Sequence, residues 1–222
     1  MNSEHLRAVL WDMDGTLLDS REYHWLAWRE ALAAEGFTLT YDQFLDSFGK
    51  RNDTILRGFF GADLSHSEIA RISDAKEARY RTYIHTLGIA LLPGVADWLQ
   101  RLKTSGWCQA VASSAPRLNV ETIVAVLKLG ECFATVVGAE DVQRGKPEPD
   151  VFLLAAERMA VPPARCVVVE DAPAGIEAAR RAGMRTIGVR SSHADLSAHT
   201  ADYVVASLAE LPDDAFERLI RL

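Results

Sequence analysis

Two aspartates stand two residues apart in Val9-Leu10-Trp11-Asp12-Met13-Asp14-Gly15-Thr16, where an apolar run gives way to a glycine turn. Carboxylates at that spacing, at the end of a buried strand, repel one another and need a proton or a cation to be tolerated. Magnesium suits such a place, because it accepts one or two carboxylates, keeps waters and takes an oxygen of a phosphate. The chemistry that follows is phosphoryl transfer, with one aspartate attacking phosphorus and the second handling protons. Taken alone, the motif is read equally well as an ordinary Asp-Gly turn with solvated carboxylates.

Three further segments bear on that choice. Val111-Ala112-Ser113-Ser114 offers small hydroxyls and successive backbone N–H groups ahead of a helix expected to start near Pro116, a terminus that can hold a phosphate or can merely be capped by serine. Arg144-Gly145-Lys146-Pro147-Glu148-Pro149-Asp150 presents one lysine in a stiff turn; a fixed ammonium there neutralises nucleophile and phosphate, unless it is a surface lysine beside a helix-starting proline. Val167-Val168-Val169-Glu170-Asp171 ends an apolar run with adjacent acids, awkward without a cation, with helix capping by Asp171 as the competing explanation.

The elements that must position these groups are legible as short apolar runs, each followed by a helical pattern: Ala8 to Trp11, Trp107 to Ala112, Phe133 to Val137, Cys166 to Val169, Thr186 to Val189 and Tyr203 to Val205. Continuous apolar runs predict strands buried on both faces, and their alternation with helices predicts a parallel sheet. The expected fold is α/β, a Rossmann-like doubly wound core with reactive groups at the strand C-terminal ends. From about Tyr23 to Leu87 the pattern changes: Trp25, Trp28, Ala31 and Leu32, then Ile55, Leu56, Phe59 and Phe60, then Ile69, Ile72, Tyr80, Tyr83 and Ile84 recur at helix spacing. Ser65 to Ser67 supply caps, and Leu92-Pro93-Gly94 marks the return to the core. The organisation expected is therefore a catalytic core of residues 1–18 and 91–222 with an all-helical cap domain, 19–90, inserted after the first strand.

Composition limits the partners. With 49% hydrophobic and 25% charged residues the chain is that of a globular protein able to bury a core. A net charge of -7 gives no general attraction to nucleic acid or anionic lipid, and no basic stripe with interleaved aromatics is present, so any anion site must be local. The tryptophans, at helical spacing or beside strands, are expected in the core. Three cysteines, Cys108, Cys132 and Cys166, lack C-x-x-C spacing and read as buried reduced thiols. Met1 to Arg7 is polar and leads into only four apolar residues, which predicts neither export nor a membrane span; the cytoplasm is the expected location.

Taken in order, D-x-D-G-T, a strand-end serine, G-K-P-x-P-D and E-D-x-x-x-G-I resemble the haloacid dehalogenase superfamily of aspartate-nucleophile phosphohydrolases over nearly the whole chain. The resemblance implies that Asp12 becomes an aspartyl phosphate and that Asp14 is general acid and base, binding Mg2+ through its backbone carbonyl. It implies that Ser113 holds the transferring phosphate, that Lys146 screens it, and that Asp171, with Glu170 as partner, completes the metal site with Asp12. Backbone groups around Met13, Gly15 and Ser114 are implied as further phosphate contacts. A dehalogenase proper needs neither the second aspartate nor a metal, so Asp14 argues against that activity.

Within the superfamily the helical insertion resembles the small cap of subfamily I, the subgroup containing β-phosphoglucomutase and bacterial sugar-phosphate phosphatases. Asp19 to Arg29 is similar to the mutase's first cap helix, with His24 twelve residues after Asp12. The resemblance makes His24, Lys76 and Arg51 substrate-facing candidates, against which stand a packing histidine, a solvated helix lysine and a loop arginine. The cap is expected to close, exclude water and read sugar hydroxyls. Ser113-Ser114-Ala115-Pro116-Arg117 has Ala-Pro where the mutase has Ser-Lys that helps hold a second phosphate, with Arg117 as a possible substitute. The expected activity is magnesium-dependent hydrolysis of small phosphorylated metabolites, sugar phosphates foremost, by a monomer; mutase chemistry is the alternative. Schiff-base chemistry of the phosphonoacetaldehyde hydrolase kind ranks third, since Gly49-Lys50-Arg51-Asn52 does not resemble its motif. A noncatalytic phosphometabolite-binding protein would be expected to have lost at least one of the reactive groups.

Overall fold

The computed structural model describes residues 6–191, 196 and 201–221. The chain folds as two compact units, Met1–Asp19 with Ala90–Leu222, and Ser20–Ile89. The first is a six-stranded parallel sheet of β1 (Ala8–Trp11), β2 (Cys108–Ala112), β3 (Thr135–Val137), β4 (Cys166–Glu170), β5 (Arg185–Val189) and β6 (Tyr203–Val205) in the order β3-β2-β1-β4-β5-β6. The second is helical: α1 (Arg21–Ala34), α2 (Tyr41–Ser47), α3 (Asn52–Phe60) and α4 (His66–Leu87). The sheet unit adds α5 (Val95–Thr104), α6 (Arg117–Val126), α7 (Asp150–Arg158), α8 (Pro173–Arg181) and α9 (Ala215–Arg221).

β1 is hydrogen-bonded on both edges, Ala8 lying opposite Cys108 on one side and Cys166 on the other. It is buried throughout, as a strand sandwiched by helices on both faces must be. On one face Leu10, Ala110 and Val168 pack with Val151, Phe152 and Ala155 of α7 and Ala178 and Ala179 of α8. On the other, Trp11, Trp98 and Trp107 surround Phe216 of α9. The sheet is thus doubly wound, and the order reverses at β1, the place where a crevice opens outside the strand C-terminal ends.

The structure departs from the sequence reading at element ends and edges. Trp107 lies before β2 because its N–H closes the end of α5 on Leu102 O, and Phe133 and Ala134 precede β3. β3 and β6 are only partly buried, since each is an edge of the sheet. Cys166 is buried, but Cys108 and Cys132 are half-buried; Cys132 closes a short 3-10 turn, Gly130–Cys132. Trp11, Trp28, Trp98 and Trp107 are buried, while Trp25 is half-buried on α1. Among the described residues no helix is long and apolar enough to cross a membrane.

Local sequence accounts for the helical unit. Thr40 and Ser65 each form a capping box, with Gln43 and Glu68 reaching back to the cap N–H. Trp28, Leu32, Phe44, Ile55, Leu56, Ile69 and Ile72 then meet in one apolar core. Gly94 starts α5 with φ 84°, and a β-carbon there would overlap the backbone of Ala209, so only glycine fits.

Candidate active site

Asp12 follows β1 directly, and its N–H donates to Val169 O at 3.0 Å, prolonging the ladder toward β4. The chain then turns tightly: the N–H groups of Thr16, Leu17 and Leu18 converge on Met13 O at 3.2, 2.9 and 3.3 Å, and Ser191 donates its hydroxyl to Gly15 O. Met13 and Thr16 are buried and Asp14 is half-buried. Gly15 N–H donates to Leu18 O at 2.7 Å within the turn.

At the end of β2, Ser113 is buried, gives its N–H to Val137 O and accepts the Ala115 N–H on Oγ at 3.0 Å. Its hydroxyl proton remains a donor. The residue before α6 is Pro116, with no side-chain cap, so neither Ser113 nor Ser114 is the helix cap that the sequence alone allowed. Likewise α8 is preceded by Ala172 without a side-chain cap, which removes the capping explanation for Asp171.

Lys146, next to a cis Lys146–Pro147 peptide, is no surface lysine. Its side chain is 7% exposed, and Nζ lies 2.6 Å from Asp12 Oδ1, 2.6 Å from Glu170 Oε1 and 4.9 Å from the centre of the Phe152 ring. Glu170 Oε2 accepts the Ala172 N–H at 2.7 Å. A β-carbon on Gly175 would overlap the Glu170 carboxyl, so that acid occupies the space a larger residue on α8 would fill. Oxygens of Asp12, Glu170 and Asp171, all buried, lie within 4.8 Å of one another. Asp14 contributes no carboxylate to this cluster.

The electrostatics follow from that crowding. Burial pushes the Asp12 carboxyl well above its usual range; Lys146 opposes the shift, and Glu170 and Asp171 add to it. Burial raises Glu170 as well, again against Lys146 and with Asp171. Burial alone would lower the Lys146 ammonium, but Asp12 and Glu170 outweigh it and raise its pKa. Three buried carboxylates against one ammonium leave an excess of negative charge that a hard cation would relieve, and an all-oxygen donor set fits magnesium.

In the helical unit His24 Nδ1 lies 2.8 Å from Lys76 Nζ, and the imidazole stacks on Tyr80 with centroids 4.1 Å apart. Lys76 is buried, its Nζ 2.8 Å from Glu77 Oε1, and Asn52 Nδ2 donates to that same oxygen at 2.7 Å. Glu77 and Asn52 escaped the sequence reading. A signal existed: Lys76 falls on the row Ile72, Lys76, Tyr80, Ile84 at four-residue spacing, which marks an inward face of α4. Arg51 stands just before α3, 3.6 Å from Asp53. Arg117 is drawn into contacts with Glu121 at 2.8 Å and Asp141 at 3.1 Å, and its N–H donates to Glu140 at 2.8 Å. Those acids take up the charge expected to substitute for a second phosphate clamp.

Residues 6–183 match the family model of the haloacid dehalogenase-like hydrolases. The β-phosphoglucomutase of Bacillus subtilis is 33% identical, over 93% of this chain and 92% of its own. The fructose-1-phosphate phosphatase YqaB of Escherichia coli is 35% identical, over 84% of this chain and 98% of its own. The crystal structure of a CbbY variant from Rhodobacter sphaeroides with xylulose 1,5-bisphosphate superposes with a TM-score of 0.86 at 30% identity, covering 93% of this chain and 96% of that one. Family model, relatives and strand-end acids agree, and the chain belongs to the haloacid dehalogenase-like hydrolases, as an enzyme of that family.

Proposed function

We propose that this enzyme is a magnesium-dependent phosphatase of small phosphorylated metabolites, sugar phosphates foremost, and that it works through an aspartyl phosphate on Asp12. The observation carrying this reading is the Lys146 ammonium bridging Asp12 and Glu170, with Asp171 alongside. Asp12, Glu170 and Asp171, with the backbone carbonyl of Asp14, would hold the magnesium, which when bound neutralises phosphate charge and part of the acid excess. Lys146 fixes the Asp12 carboxyl through Oδ1 and screens the approaching phosphate. The Ser113 hydroxyl and backbone N–H groups near Met13 and Ser114 hold the phosphate oxygens. An Asp12 oxygen attacks phosphorus as the ester P–O bond breaks, and Asp14 donates a proton to the departing alkoxide. Asp14 then takes a proton from water as that water attacks phosphorus, the bond to Asp12 breaks, and free phosphate and Asp12 are restored. His24, Lys76 and Arg51 contact the organic part of the substrate.

Hydrolysis is favoured over transfer by Arg117, whose guanidinium is engaged by Glu121 and Asp141. The mutase reading draws support from the similarity to the Bacillus enzyme. Phosphorus NMR separates the two. Wild type and Asp12→Asn are incubated with fructose 1-phosphate, other sugar phosphates and β-glucose 1-phosphate, the last with a trace of glucose 1,6-bisphosphate, with and without magnesium. Magnesium-dependent free phosphate that is lost in Asp12→Asn is the expected result. Conversion of β-glucose 1-phosphate to glucose 6-phosphate with little free phosphate would overturn it.

A further inference from the structure

Side chains one residue apart on a helix point about 100° apart and do not ordinarily meet. On α4 Lys76 and Glu77 nevertheless meet at 2.8 Å, both buried. Asn52, from the first turn of α3, donates to Glu77 Oε1 at 2.7 Å and so draws that carboxylate toward α3. Lys76 follows it: one N–H is given to Glu77, and a second points to His24 Nδ1, which must accept because an ammonium only donates. The rings of Trp28 and Tyr80 lie 5.2 and 5.4 Å from Nζ, a distance at which an aromatic face holds a cation. The direction left for the third N–H is therefore set before any ligand arrives, and the stem's rotamer freedom is already lost.

The same contact settles the charge. Burial pushes the Glu77 carboxyl up, but Lys76 and the hydrogen bonds from Lys76 and Asn52 outweigh it and hold it below its ordinary value, so it is ionised at neutral pH. The ammonium thus offers a directed donor beside a fixed negative charge. A sugar hydroxyl accepts from such a group; a second phosphate would be brought against the carboxylate.

We propose that Glu77, seated by Asn52, is the positioning residue that fixes and charge-balances Lys76, so that the helical unit recognises hydroxyls of monophosphorylated substrates and disfavours a second phosphate. This rests on the reading that Lys76 contacts substrate.

The test compares fructose 1-phosphate with fructose 1,6-bisphosphate in wild type, Glu77→Gln, Lys76→Met and the double variant. Glu77→Gln is expected to raise KM for the monophosphate more than it lowers kcat, and to raise the bisphosphate-to-monophosphate ratio of kcat/KM about tenfold, the loss of one charge-assisted contact. In the Lys76→Met background the same change should move the ratio less than about twofold, as for a residue acting only through its neighbour. A ratio unmoved by Glu77→Gln, or moved equally in both backgrounds, overturns the proposal. Because Glu77→Gln can loosen the helical unit, a second measurement uses intact wild type: the Lys76 ammonium, assigned by its disappearance in Lys76→Met, should persist as a slowly exchanging 15N–1H signal at neutral pH. Loss of that signal with phosphatase activity present removes the role of Glu77 alone. Wild type that releases no phosphate from any sugar phosphate removes the phosphatase reading and the specificity argued from it.

Discussion

The strand-end cluster and the polar cluster of the helical unit are made of the same groups in different proportion. At the strand ends one lysine serves Asp12 and Glu170 with Asp171 close by, and burial drives Asp12 and Glu170 upward in pKa. In the helical unit one lysine meets one carboxylate, one imidazole and two aromatic faces, and that carboxylate is held down. The first arrangement carries an excess that only a cation or a proton removes; the second closes on itself. Charge excess in a buried place calls for a cation or a proton, whereas charge balance leaves a buried polar cluster without that demand.

The largest effect that tests this contrast comes from removing each lysine. Lys146→Met should lower phosphate release about 10²–10³-fold, as loss of a group opposing transition-state charge does, while Lys76→Met acts mainly through KM. Equal losses in kcat for the two variants, measured by steady-state kinetics, would erase the distinction. Next comes Gly175→Ala, whose new methyl displaces the pinned Glu170 carboxyl. Overpacking there costs about 1–3 kcal/mol of stability, and phosphate release should fall severalfold because Glu170 no longer stands beside Lys146 and Asp171. In a Glu170→Ala background the same methyl should cost nothing further, and an equal cost there would show that the glycine serves α8 packing alone.

A smaller effect concerns acid. The Glu77 carboxyl titrates below its ordinary 4.5 in the folded protein, so above that value it is ionised in both states and its stabilisation is complete. The contribution fades as pH falls through the folded value and is gone beneath it, where both states are protonated. Urea unfolding of wild type and Glu77→Gln should give wild type the higher midpoint near neutrality, and the two midpoints should converge on acidification; a separation unchanged with pH would contradict the ion pair. The smallest effect is expected of Arg117→Ala. Its contacts with Glu121 and Asp141 are solvent-exposed on the arginine side, so the change should cost less than about 1 kcal/mol. Phosphate release reduced by an order of magnitude would return Arg117 to the role of phosphate clamp.

Much of the sheet unit is legible in sequence because each strand is a continuous apolar run and each reactive group sits at its end. Ala8 to Trp11 and Tyr203 to Val205 are strands over those same residues. Asp12, Lys146 and Glu170 lie far apart in the chain, and their convergence is dictated by strands that share one sheet. Glu77 and Asn52 were not legible in that way. Lys76 falls on the inward row of α4, but Glu77 beside it does not, and its burial depends on the hydrogen bond from Asn52 of α3, which no spacing along one helix encodes. Gly175 is a related case: its sequence neighbours suggest a helix start, and only the position of the Glu170 side chain explains why nothing larger stands there. The side-chain contacts of Arg117 with Glu121 and Asp141 were equally invisible to a motif comparison.

Leu18 bridges Leu91 in antiparallel fashion, and Leu92 N–H donates to Leu17 O at 2.9 Å, all four residues belonging to the sheet unit. The chain therefore departs for the helical segment and returns from it through one hydrogen-bonded stem that the sheet unit makes from its own residues. Such a stem makes the intervening segment exchangeable: a descendant gene can lengthen, shorten or replace it while inheriting the strand-end machinery intact. Diversification of recognition and conservation of chemistry can then proceed as separate events in the history of one chain, and a graft joined at Leu18 and Leu91 is the corresponding route for an engineer.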